Sequence, residues 1–101
     1  MVQIIRTDEY ASWNLSLRDD HAKAKIALRI DRLAFGNPGD VKPVGGGVSE
    51  MRIDYGPGYR VYYGKRGNDV ILLLCGGTKN EQSRDIKQAK ALFEKWKKNS
   101  A

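Results

Sequence analysis

The spacing of apolar residues changes period several times along this chain. Val2–Arg6 (VQIIR) is short and β-branched, and reads as a first strand. Asp8 then offers an N-cap, and Tyr10, Trp13 and Leu17 recur at helical spacing. Asp19-Asp20 interrupt, cap and restart the pattern. Ala22, Ile26, Ile30 and Leu33 continue it until Gly36-Asn37-Pro38 closes the second helix. Two helices joined so tightly predict a helical hairpin. Residues 36–47, rich in glycine and holding two prolines, predict a surface loop within one domain.

Period two takes over afterwards. Strands are predicted over Val48–Tyr55, Tyr59–Lys65 and Asp69–Cys75, joined by hairpin-length turns at Gly56-Pro57-Gly58 and Arg66-Gly67-Asn68. The run VILLLC is apolar on both faces, so its strand should be internal and covered twice. A last helix over Glu81–Lys98 would bury Ile86, Ala89, Phe93 and Trp96, with lysines on its remaining faces. The expected order is β-α-α-β-β-β-α: an α+β sandwich with an antiparallel meander, an N-terminal helical hairpin and a C-terminal helix, in a single domain spanning 1–101.

Pairing across the first turn places Arg60 opposite Asp54 and Tyr62 opposite Arg52; pairing across the second places Arg60 near Leu73. Arg60, Arg52, Tyr62 and Lys79 can then converge on one patch. Thr78 and Glu81 fit a capping box, and Gly76-Gly77 permits close backbone approach, so the helix start beside Lys79 suits an anion. The plain alternative for Arg60 is a cross-strand ion pair with Asp54. Tyr59 and Tyr63 are expected in the core, and Tyr62 either in the core or stacking on a base. His21 reads as an exposed residue at a helix start.

Charge sharpens this picture. The 101 residues carry a net charge of +6, with an excess of cations after Lys79, which favours polyanionic partners. No apolar run reaches the ~18 residues that would cross a bilayer. MVQIIRTDEY lacks the cationic flank and apolar core of a signal peptide. A single cysteine, Cys75, sits within VILLLC and reads as a buried small hydrophobe; with one histidine it cannot form a zinc site. A cytoplasmic protein free of disulfide, metal and cofactor is expected, with no membrane partner.

The segments RIDRLAFGNPGDVKPVGGGVSEMRI and MRIDYGPGYRVYYGKRGNDVILLLCGGTKNEQSRDIKQAKALFEKW resemble the RelE/ParE toxin superfamily, most closely its HigB-like branch of phage-associated addiction-module killer proteins. The resemblance covers nearly the whole chain and is most specific at GPGYRVYY, LLLCGGTK and the basic final helix. It implies the toxin of a type II toxin-antitoxin system, an endoribonuclease that cuts messenger RNA on the ribosome and so inhibits translation. Its partner would be a cognate antitoxin, in this branch usually a helix-turn-helix DNA-binding protein, with DNA met only through that antitoxin. The resemblance matches Arg60 and Lys79 to RelE-type catalytic cations, and Arg52 to a basic residue on the preceding strand. For a base the sequence offers Asp85, Glu81 or Tyr62, with Asp85 taken as the catalytic candidate, and Tyr62, Arg84 and Lys87 are further candidate RNA or phosphate contacts. The tyrosine that RelE-type enzymes carry in the terminal helix, and the histidines of some HigB relatives, have no counterpart. Two alternatives therefore stand beside the enzyme: a ParE-like gyrase inhibitor, and a non-catalytic basic module that binds nucleic acid or antitoxin.

Overall fold

The computed structural model describes residues 2–99. Their order is β1 (Gln3–Arg6), α1 (Asp8–Ser16), α2 (Asp20–Ala34), β2 (Val41–Gly45), β3 (Val48–Ile53), β4 (Tyr59–Arg66), β5 (Val70–Thr78), a 3-10 turn (Lys79–Glu81) and α3 (Gln82–Asn99). The five strands form one mixed sheet in the order β1-β5-β4-β3-β2, with β1 parallel to β5 and the other neighbours antiparallel.

The structure departs from the expected all-antiparallel meander and from the expected loop over residues 36–47. The sheet is mixed because β1 lies parallel to β5 at one edge, and α1 and α2 then carry the chain across one face to β2 at the other edge. The glycine-rich stretch also contains a strand, β2, paired to β3. Pro43 is tolerated because β2 is an edge strand, where a missing N–H need not interrupt a ladder. Gly45, Gly46 and Gly47, all with positive φ, make the reversal into β3.

Alternation along the strands sends two sets of side chains to opposite faces. On one face Met51, Ile53, Tyr59, Val61, Tyr63, Ile71 and Leu73 pack against Tyr10, Ile26, Ile30 and Leu33 of the first two helices. On the other, Val48, Tyr62, Leu72, Leu74 and Cys75 pack against Ala89 and Phe93 of α3. Helices thus cover both faces, giving three layers, and β5 is internal and doubly covered as the VILLLC run required. Tyr59 and Tyr63 lie in the core as expected. No helix of the described residues is long and apolar enough to cross a membrane.

Helix ends follow local chemistry. Asp19 caps α2 through its carboxylate, which accepts from the N–H groups of His21 and Ala22, and His21 is exposed. The cap of α1 is Thr7, one residue before the expected Asp8; its hydroxyl accepts from Tyr10 N–H and donates to the Leu74 carbonyl, tying helix to sheet. At the start of α3, Thr78 Oγ1 meets the Glu81 carboxylate at 3.3 Å and caps no backbone N–H, so a 3-10 turn precedes the helix.

Candidate functional site: a cationic cleft beside the turn before strand four

Three neighbouring strands and the 3-10 turn assemble the site. In the observed register Arg60 of β4 lies opposite Arg52 of β3 and Gly77 of β5, and Tyr62 lies opposite Glu50 and Cys75. The expected pairings of Arg60 with Asp54 and Leu73 are therefore wrong. The β3–β4 hairpin is displaced by two residues, which preserves the faces, and a bulge between Tyr62 and Tyr63 shifts β4 against β5. The turn after β3 extends to Gly58, whose N–H donates to the Tyr55 carbonyl. Gly58 then accepts from the Lys79 N–H at 2.8 Å, which brings the 3-10 turn against the beginning of β4.

Arg52, Arg60 and Lys79 consequently line one open cleft of about 320 Å³, together with Asp40, Asp54 and Gly58. Like charges directly opposite on paired strands repel, so the Arg52–Arg60 neighbours need counter-charges. Arg52 Nη2 pairs with Asp40 Oδ1 at 2.9 Å, and Arg60 Nε faces Glu50 Oε1 at 3.8 Å. Arg60, its side chain 11% exposed, is the most desolvated of the three cations. A guanidinium presents paired donors that match phosphate oxygens. Two arginines and a lysine around a hollow of this size can therefore hold a phosphate ester with an attached group.

The remaining sequence candidates stand elsewhere. Tyr62 is fully buried, its hydroxyl donating to Glu50 Oε2 at 3.1 Å. Burial first, and the Glu50 carboxylate second, hold that phenol well above its ordinary value, so Tyr62 is neither a stacking surface nor a base. Asp85 is buried against Gly77 and lies off the cleft. Its Oδ1 is 3.5 Å from Arg84 Nε, and its Oδ2 has no hydrogen-bond partner among the described residues. Arg84 also pairs with Glu81 at 2.7 Å, and both Arg84 and Lys87 are exposed away from the cleft lining. Cys75 is buried, and burial pushes its thiol up to about 12. No group of three or more His, Cys, Asp and Glu side chains among the described residues is placed to share a metal ion.

Sequence reasoning named Asp54 only as an ion-pair partner for Arg60 and missed Asp40 and Glu50. Asp40 and Asp54 enter the cleft, and Glu50 sits behind it. The one available signal was alternation, which puts Glu50 on the same strand face as Arg52.

Asp85 supplies a pH test. Burial raises its carboxyl above the ordinary 3.8, with Arg84 partly opposing. The native protein therefore binds this proton more readily than the unfolded chain. That contribution to stability is fully present below pH 3.8 and fades as pH rises through the folded value. An Asp85→Asn variant, which cannot ionise, is expected to melt higher than the wild type at neutral pH. Thermal unfolding across pH should show the gap narrowing on acidification; a widening gap would contradict the assignment.

The fold and the cleft together define a small, basic α+β protein with a cationic cleft at one end of its sheet, where β4 begins. No protein-family model matches the chain. It belongs to the same family as an uncharacterized protein of Haemophilus influenzae, to which it is 50% identical over 93 residues, covering 92% of this chain and 94% of that protein.

Proposed function

We propose that this protein is a RelE-like toxin of the HigB branch, a ribosome-dependent messenger RNA endoribonuclease of a type II toxin-antitoxin system. The observation that carries this reading is the convergence of Arg60, Arg52 and Lys79 on one cleft. The cleavage it suits uses neither metal nor cofactor. The RNA 2′-hydroxyl gives its proton to a base and attacks the adjacent phosphorus. The bond from phosphorus to the 5′ oxygen breaks, and that oxygen takes a proton, leaving a 2′,3′-cyclic phosphate and a 5′-hydroxyl. Arg60 stabilises the charge gathering on the phosphorane oxygens. Lys79 is the second phosphate contact and the acid for the leaving oxygen. Asp54, exposed and in the cleft, replaces the buried Asp85 as the carboxylate positioned to take the 2′ proton. The ribosome supplies orientation of the message, which alone can lower a barrier by several kcal/mol.

The cognate antitoxin would silence the toxin by covering this cationic surface with an acidic or helical segment, and would make any contact with DNA itself. The site of action would be the cytoplasm.

One observation favours a second, non-catalytic reading of the ParE kind: the cleft holds no tyrosine or histidine, Tyr62 being buried and His21 lying elsewhere. Inducible expression with mapping of transcript 5′ ends separates the readings. The ribonuclease predicts growth arrest and new ends within translated codons. Intact messages with DNA breaks would point to gyrase instead, and neither effect to a binding module.

A further inference from the structure

Glu50 lies on the α3 face of β3 and is 0% exposed. A carboxylate so placed is costly unless its oxygens are engaged. Oε2 accepts from the Tyr62 hydroxyl at 3.1 Å and from Gln82 Nε2 at 2.8 Å. Oε1 faces Arg60 Nε at 3.8 Å, and neither of those two atoms has a hydrogen-bond partner among the described residues.

The contact falls on the inner edge of the guanidinium. On its other side Nη1 donates to the Tyr59 carbonyl at 3.5 Å, and Nη1 and Lys79 Cβ both lie close to Gly58: a Cβ built there would be 4.0 Å from the first and 3.4 Å from the second. Gln82, meanwhile, opens α3 immediately after the 3-10 turn that carries Lys79. One buried carboxylate is therefore attached both to the first cation and to the helix that follows the second.

We propose that Glu50 is a positioning residue for the cationic cleft. Braced by Tyr62 and Gln82, it fixes the Arg60 guanidinium from its Nε side and anchors the start of α3 beside Lys79, so that both cations direct their outer nitrogens to one phosphate. Glu50 does not line the cleft, and Oε2 is already occupied, so it acts through Arg60 and not on the ligand. The identity of that phosphate as part of an RNA rests on the function proposed above; the ordering of Arg60 does not.

The test uses the full chain and two readouts. In nitrogen-15 spectra of the arginine side chains, the Arg60 Nε–H should exchange with water at least about tenfold more slowly than that of exposed Arg84. Glu50→Gln keeps an acceptor for Tyr62 and Gln82 but removes the charge, and should bring the two exchange rates together. If that variant does not fold, Gln82→Ala, which releases one brace, should speed Arg60 exchange by a smaller factor. In cleavage of ribosome-bound message, Glu50→Gln should lower kcat about tenfold or more while KM moves less than about threefold, the pattern of an interaction made in the transition state. Unchanged Arg60 exchange in the folded variant overturns the inference. Altered exchange with no cleavage by the wild type leaves Glu50 in its positioning role and removes the ribonuclease reading.

Discussion

Replacing Arg60 with alanine is expected to slow cleavage of ribosome-bound message by about 10²–10³-fold, the equivalent of roughly 2.7–4 kcal/mol of lost transition-state stabilisation. The size follows from the setting. The guanidinium is nearly enclosed, and its interaction with developing negative charge is weakly screened. The same substitution strands the buried Glu50 carboxylate, and removing one partner of a buried ion pair is itself destabilising. A double variant, Glu50→Gln with Arg60→Ala, separates the two effects. It should recover much of the melting temperature lost by Arg60→Ala and none of the cleavage. Cleavage restored along with stability would mean that Arg60 serves the fold and not the reaction.

The largest effect on stability is expected at Phe93. Its ring is buried between α3 and the sheet and stacks on Trp96 at a centroid separation of 5.9 Å. The sheet side of that contact is made by glycines: a Cβ at Gly64 would collide with the ring, and one at Gly47 would lie 2.9 Å from it. Phe93 thus fills space that no strand side chain can occupy. Phe93→Ala should cost about 3–5 kcal/mol, since backbone cannot easily collapse into the vacated volume. Denaturant unfolding would measure this as a lower midpoint at an unchanged slope. A loss under about 1 kcal/mol would show that α3 is held mainly elsewhere. Because α3 also carries Gln82 against Glu50, its loosening should disturb the cleft as well.

What the sequence disclosed, and what it did not, follows the range of the interactions involved. Helical spacing in α2 and α3, the apolar run of β5 and the face parity of β4 depend on near neighbours, and the structure agrees with each. The same holds for Cys75 as a buried apolar residue and Asp19 as a cap. The edge strand β2 was hidden because Pro43 and the glycines after Val44 resemble a loop until a partner strand accounts for them. The parallel pairing of β1 with β5 joins segments at opposite ends of the chain, and no local pattern encodes it. The convergence of Arg52, Arg60 and Lys79 was legible through parity and the short turn at Gly56-Pro57-Gly58. Asp40 and Glu50 were not, and Asp54 was read as the partner of Arg60; the two-residue displacement of β3 against β4 decides instead that Arg60 meets Glu50 and leaves Asp54 to line the cleft. Tyr62 was open between core and surface, and α3 closing over it decides for the core.

The claim on which the rest depends is that this cleft receives a phosphodiester of RNA. A direct measurement is titration of the nitrogen-15-labelled chain with a short 2′-O-methyl oligoribonucleotide, which can bind but cannot be cleaved. The predicted result is that the largest shifts fall on Arg52, Gly58, Arg60 and Lys79, that they saturate, and that Arg60→Ala abolishes them while the lysines of α3 respond weakly and less as salt rises. Shifts confined to the lysines of α3, with the Arg60 and Lys79 signals unmoved, would contradict it.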